Sequence, residues 1–139
     1  MIKRFNYGED YNILLNKIEA YRIRDNVRIH AYVLMPEHFH LLLTIPDVAS
    51  ISSYMRDLKK RTAYEYFKRG GSDLHRFWEH RFDDVYIYSH DIFITKLNYI
   101  HYNPVRAGFS KLPEDWPYSS ANYYTNGEKS IIQIDPIML

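Results

Sequence analysis

Between Val27 and Ile45 the chain runs out, reverses and returns, and this stretch constrains the fold more than any other. Val27, Ile29, Ala31, Val33 and Met35 alternate with Arg28, His30, Tyr32 and Leu34, the period of an extended strand. Pro36-Glu37 supplies a turn. His38 to Ile45 reads as the second strand, with His38, His40, Leu42 and Thr44 on one face and Phe39, Leu41, Leu43 and Ile45 on the other. The expectation is an antiparallel hairpin with one buried face and one that starts polar at its histidines. His38 and His40 flank Phe39 and point the same way, about 7 Å apart along the strand. Two imidazoles so placed can share one metal ion. Equally, they can be core histidines satisfied by hydrogen bonds, and this segment does not decide between the two.

Helical patterns flank the hairpin. Tyr11, Leu14, Leu15, Ile18 and Tyr21 share a face, with Glu9 and Asp10 in the first turn and Arg22 and Arg24 near the end, as the helix dipole favours. From Ser50 to Arg69, Ile51, Tyr54, Leu58, Ala63 and Phe67 mark a packing side, and Arg56, Lys59, Lys60, Arg61 and Lys68 mark the other. A solvated basic face is the usual reading of such a run. The interleaved Tyr54, Tyr64, Tyr66 and Phe67 add a functional one, a track for a phosphate backbone. Gly70 to Asp73 is a loop, Arg76 to Phe82 a dense aromatic and charged patch, and Val85 to Tyr88 a short strand. Ser89 caps a helix from Asp91 to about Tyr102, which Pro104 stops. Gly108 and Pro113 mark turns, and Trp116 to Ser120 reads as a packing anchor followed by a cap.

Composition narrows the chemistry. The 139 residues fit one domain, taken as residues 1–139. There is no cysteine, which excludes a disulfide framework, a thiolate zinc site and a cysteine nucleophile. Any metal must be held by histidine, carboxylate, amide or water. A net charge of +1 excludes a uniformly basic surface but allows a local patch. The 14 tyrosines supply core bulk and can also stack on exposed bases. With no signal peptide and no apolar run long enough to cross a bilayer, the expected location is the cytoplasm, with no membrane partner.

Tyr99 and Asn103 lie four apart on the helix after Ser89, so they project from one face, and Lys96 stands three before Tyr99 on the same side. A tyrosine hydroxyl is a weak nucleophile unless a cation is close. An amide oxygen one turn away can hold that cation, and two strand histidines plus one amide make a three-ligand set with open positions. Taken singly, Tyr99 also suits a packing seam and Asn103 a C-cap before proline.

Taken together the segments resemble a known pattern. Leu34-Met35-Pro36-Glu37-His38-Phe39-His40, Trp78-Glu79-His80-Arg81-Phe82-Asp83-Asp84, Tyr99-Ile100-His101-Tyr102-Asn103-Pro104-Val105-Arg106-Ala107-Gly108 and Glu114-Asp115-Trp116-Pro117-Tyr118-Ser119-Ser120 follow in that order. The chain resembles the REP-associated tyrosine transposases of the single-tyrosine HUH superfamily, over roughly Glu9 to Tyr124. His-x-His alone is a weak signal; the Tyr-Ile-x-x-Asn-Pro-Val-x-Ala-Gly run at this distance from it is specific. The resemblance implies an α+β fold, a ferredoxin-like antiparallel sheet with packed helices of the HUH endonuclease type. It implies His38, His40 and Asn103 as ligands of a divalent metal, Mg2+ or Mn2+, and Tyr99 as nucleophile, with Tyr102 as the rival. It also implies single-stranded or hairpin DNA as partner, cleaved and rejoined through a 5′-phosphotyrosine. Arg56, Lys59, Lys60, Arg61, Lys96 and Arg106 are the expected DNA-binding cations. A homodimer is an option, since some relatives donate the tyrosine helix in trans.

One departure stands out. The family places a strand before the first helix, whereas only Met1 to Gly8 precedes it here, with little strand character. Either the start lies upstream or the first strand is missing, which would leave an unpaired sheet edge. Two other activities compete: a catalytically inactive nucleic-acid-binding remnant, and a metal-dependent phosphoesterase that uses the histidine pair and water.

Overall fold

The structure, a computed structural model, describes residues 7–36, 38–68 and 89–135. Its elements are α1 (Tyr7–Asp25), β1 (Arg28–Leu34), β2 (Phe39–Thr44), α2 (Ile51–Lys68), α3 (His90–Arg106) and α4 (Ala121–Asn126), with 3-10 turns at Val48–Ser50 and Pro113–Asp115. The architecture is α+β, with one two-stranded antiparallel sheet among the described residues. The expected strand at Val85–Tyr88, the patch Arg76–Phe82 and the first six residues lie outside the described residues. The chain divides into two compact units, one holding α1 and α2, the other β1, β2, α3 and α4.

In the first unit α1 packs on α2. Tyr11, Leu14, Ile18, Tyr54 and Leu58 are buried, the faces that helical spacing selects. The Tyr54 hydroxyl donates to the Ile18 carbonyl at 3.4 Å. Arg24 reaches Asp25 at 2.8 Å and Asp57 at 3.0 Å, so the end of α1 is tied to α2.

In the second unit the hairpin pairs Leu34 with Phe39, Val33 with His40, Tyr32 with Leu41 and Ala31 with Leu42. The Met35 amide donates to the His38 carbonyl at 2.8 Å and closes the turn. The register slips between Ile29 and Ala31, so His30 is the extra residue of a β-bulge. Beyond Arg28, every residue of β1 is buried. Val33 lies on the face of His40, and Tyr32 and Leu34 lie on the face of Phe39 and Leu41; all three are buried, so both faces of β1 are covered, which corrects the expected polar face. The edge of β1 away from β2 is covered as well. The Leu34 amide donates to the Tyr118 carbonyl at 2.8 Å, the Ser120 amide to the Tyr32 carbonyl at 3.0 Å, and Val33 and Ser119 form an antiparallel bridge. Further along, the Asp135 amide donates to the Ile29 carbonyl at 2.8 Å. Residues from the C-terminal part of the chain thus cover this edge of β1 and meet the backbone groups an edge strand leaves unpaired.

Helix α3 starts where Ser89 predicts: its Oγ accepts from the Ile92 amide at 3.1 Å. Phe93, Leu97, Ile100, His101 and Pro104 form its buried stripe. The expected stop at Pro104 is corrected, since the helix continues to Arg106 with the proline inside its last turn. Proline removes one amide there, and the end is set instead by Gly108 at φ +82°. The Phe109 amide reaches the Pro104 carbonyl at 2.8 Å and the Gly108 amide reaches Val105 at 3.0 Å, the paired bonds of a Schellman stop. Ser120 sits at the N-cap position of α4 but makes no side-chain cap bond, because its hydroxyl serves β1.

Candidate active site

The site lies within the second unit, where α3 packs against β1 and β2. His40 projects from β2 and is half-buried; His38, just before the strand, is exposed. Their rings stand 5.1 Å apart between centroids, at 76°. The Tyr99 ring meets His40 edge-on at 5.8 Å and 79°. Tyr99 and Tyr102 are almost equally exposed, at 52% and 48%, so exposure does not separate them. Contact with the histidine pair does, and Tyr99 makes it.

Helical geometry explains the company Tyr99 keeps. Lys96, Tyr99, Asn103 and Arg106 fall at i−3, i, i+4 and i+7, one stripe of α3 beside the buried stripe. Asn103 is half-buried one turn beyond Tyr99. The Arg106 guanidinium carbon lies 4.4 Å from the Tyr99 ring centroid, and an Nη of Arg106 donates to the Tyr99 carbonyl.

Burial pushes the His40 imidazole down to about 4, helped by the positive charge that His38, Arg106 and Lys96 would place beside it. His40 is therefore neutral near pH 7, the form in which imidazole donates a lone pair to a metal. Among the described residues no group of three His, Cys, Asp or Glu side chains could hold a metal ion. The Asn103 amide oxygen is a donor of a kind that can join a histidine pair around a metal. The chemistry of the donors thus fits a divalent cation.

The site is held from behind by residues whose part the sequence did not disclose. His101, buried between Tyr99 and Asn103 in the chain, hydrogen-bonds the Ser120 hydroxyl through Nε2 at 2.8 Å. That hydroxyl accepts from the Tyr32 amide at 2.9 Å, and the Trp116 indole donates to the Leu34 carbonyl at 2.9 Å. The chain from His101 through Ser120 to Tyr32 ties α3 to β1, and so ties Tyr99 to the hairpin, while Trp116 ties the following segment to the same strand. The one sequence signal was the Trp-Pro-Tyr-Ser-Ser run, legible as an anchor without its partner.

The expected DNA-binding cations divide between the units. Lys96 and Arg106 stand at the site. Arg56, Lys60 and Arg61 are exposed on α2, while Lys59 is half-buried and its ammonium is pushed down by that burial.

The sequence matches the model of the family described as "Transposase IS200 like" over residues 3–103. It is 32% identical to the REP-associated tyrosine transposase of Escherichia coli strain K12, over 79% of this chain and 64% of that protein. It is also 32% identical to a putative REP-associated tyrosine transposase of Haemophilus influenzae, over 65% of this chain and 56% of the relative. The chain thus spans less than two thirds of the length of either curated relative. A solved structure described as a REP-associated tyrosine transposase bound to a REP hairpin superposes with a TM-score of 0.74 at 26% identity, covering 94% of this chain and 77% of that one.

Proposed function

The chain belongs to the IS200-like transposase family, and on that premise we propose that it is a DNA transposase that cleaves and rejoins single-stranded DNA at hairpin-forming repeats. The observation that carries the reading is the contact of Tyr99 with His40, itself against His38, on a face that also presents Lys96 and Arg106. A tyrosine that reaches a histidine pair through an exposed helix face is poised for a substrate on that face. The solved relative with a bound hairpin supports DNA as that substrate.

In the proposed reaction the Tyr99 oxygen attacks the scissile phosphorus. The bond from phosphorus to the 3′ oxygen breaks, and that oxygen leaves with a proton as a 3′ hydroxyl. The 5′ phosphate stays on Tyr99. Attack by a 3′ hydroxyl on the phosphotyrosine reverses the exchange and rejoins the strand without ATP, because one phosphodiester replaces another at each step. His38, His40 and Asn103 would hold a divalent ion, Mg2+ or Mn2+, which supplies Lewis acidity at the scissile phosphate. Lys96 and Arg106 place fixed positive charge where the phosphate gains negative charge.

The test is a cleavage assay on single-stranded DNA carrying the palindromic repeats that flank the gene, with Mn2+ or Mg2+, read on a denaturing protein gel. The expected result is a metal-dependent covalent adduct, located on Tyr99 by mass spectrometry. Tyr99→Phe should abolish the adduct and leave DNA binding intact. An adduct on the Tyr99→Phe variant would refute the assignment. Cleavage without an adduct would mean a phosphoesterase, and binding with neither would mean an inactive descendant.

A further inference from the structure

A nucleophile on an exposed helix face needs something to hold it. The Tyr99 ring is half exposed, and its two side-chain torsions allow several staggered positions. Arg106 reaches back two turns along α3 and touches the same residue twice. Its guanidinium carbon lies 4.4 Å from the centre of the Tyr99 ring, and an Nη donates to the Tyr99 carbonyl. The backbone bond anchors the guanidinium at a point from which its carbon sits over the ring. Among the described residues no carboxylate pairs with Arg106, so no competing ion pair draws it away. The edge of the arrangement is His40, which meets the Tyr99 ring at 5.8 Å.

We propose that Arg106 is a positioning residue for Tyr99: placed over the ring and anchored on the carbonyl of that same residue, it holds the phenol toward the His38–His40 pair. The proposal rests on Tyr99 being the nucleophile. The task suits arginine, whose planar fork can stack and donate at once; lysine offers a point charge on a flexible stem. A surface arginine that serves only as a phosphate contact needs neither the place over the ring nor the carbonyl bond.

Arg106→Gln and Arg106→Lys test the idea, each with two readouts. The first needs no DNA. The protein is labelled with 3-fluorotyrosine, and the Tyr99 fluorine resonance is assigned by its loss in Tyr99→Phe. Both variants should move and narrow that resonance, as the ring gains freedom. The second is the single-turnover rate of adduct formation at saturating single-stranded hairpin oligonucleotide. It should fall roughly 10- to 100-fold in both variants, the scale expected when a reacting group is displaced by about 1 Å, with little change in affinity. An unchanged fluorine resonance would overturn the proposal. So would weaker DNA affinity with a normal saturated rate, or full recovery by lysine, since either would make Arg106 a charge contact. If the wild-type protein forms no adduct, the function fails, and the fluorine resonance still decides whether Arg106 holds Tyr99.

Discussion

At the scale of single residues, the candidate site is a problem of charge. Its three candidate metal ligands, His38, His40 and the Asn103 amide, bring no negative charge. Two cations stand close enough to depress the His40 imidazole, Lys96 and Arg106. Each opposes a bound divalent ion, and each attracts a phosphate. A bound metal and a bound phosphate would therefore help one another, because phosphate oxygens would supply donors to the metal and offset the repulsion it meets from these cations. Mn2+ binding, followed by electron paramagnetic resonance, is expected to be weak in the DNA-free protein and to tighten by tenfold or more, about 1.4 kcal/mol or above, when hairpin DNA is added. Equal affinity without DNA would mean that a carboxylate completes the shell. Strand and helix periodicities put His38 with His40 and Tyr99 with Asn103; that the two pairs belong to one site was implied by the family resemblance, and the structure adds the contact of Tyr99 with His40. The contact of Arg106 with Tyr99 was not legible in the sequence, since at i+7 it depends on side-chain direction rather than spacing.

At the scale of elements, the hairpin and three helices were legible from apolar periodicity, and the errors came where side chains or distant segments override it. Pro104 reads as a stop, but a proline in the last turn costs few helical bonds, and the Schellman bonds around Gly108 set the end. The bulge at His30 leaves no local signature, and its buried imidazole is held by the Asp135 carbonyl and the Thr44 hydroxyl. The covering of β1 by Tyr118–Ser120 is a contact between segments some 86 residues apart (119 minus 33), beyond any local pattern. Its weight can be measured. Ser120→Ala leaves the buried Tyr32 amide and the His101 imidazole without their hydroxyl partner, and is expected to cost about 1–3 kcal/mol in urea unfolding. Acid should act on the same joint. Burial holds His101 down to about 4, against an ordinary 6.5, so the folded protein resists a proton that the unfolded chain accepts. The stability from this group is complete above about pH 6.5, falls as the pH drops toward 4, and levels off below, a loss on the order of 3 kcal/mol. His30, also lowered by burial, adds to the loss in the same direction. Urea unfolding followed from pH 7.5 to 4 checks the sign; stability that rises on acidification would contradict it.

At the scale of the whole molecule, the chain passes between its two units and returns, so that the site is built from β2 and α3 while the basic face of α2 belongs to the other unit. A net charge of +1 hides this division, because cations at the site and on α2 are offset elsewhere in the sequence. The two groups of cations should be separable by experiment. Under the proposed reaction those at the site, Lys96 and Arg106, would act where bonds change and should govern the rate. Arg56, Lys60 and Arg61, exposed on α2, should govern only how tightly the backbone is held. Replacing these three by glutamine is expected to weaken DNA binding at low salt and to flatten the dependence of log affinity on log salt by up to about 2, at roughly 0.7 per lost contact to a single strand. The adduct rate at saturating DNA should stay at the wild-type value. A salt titration of affinity alongside a single-turnover measurement separates the outcomes. An unchanged salt slope would make the α2 cations an ordinary solvated face, and a reduced saturated rate would mean that they also position the DNA for the attack by Tyr99.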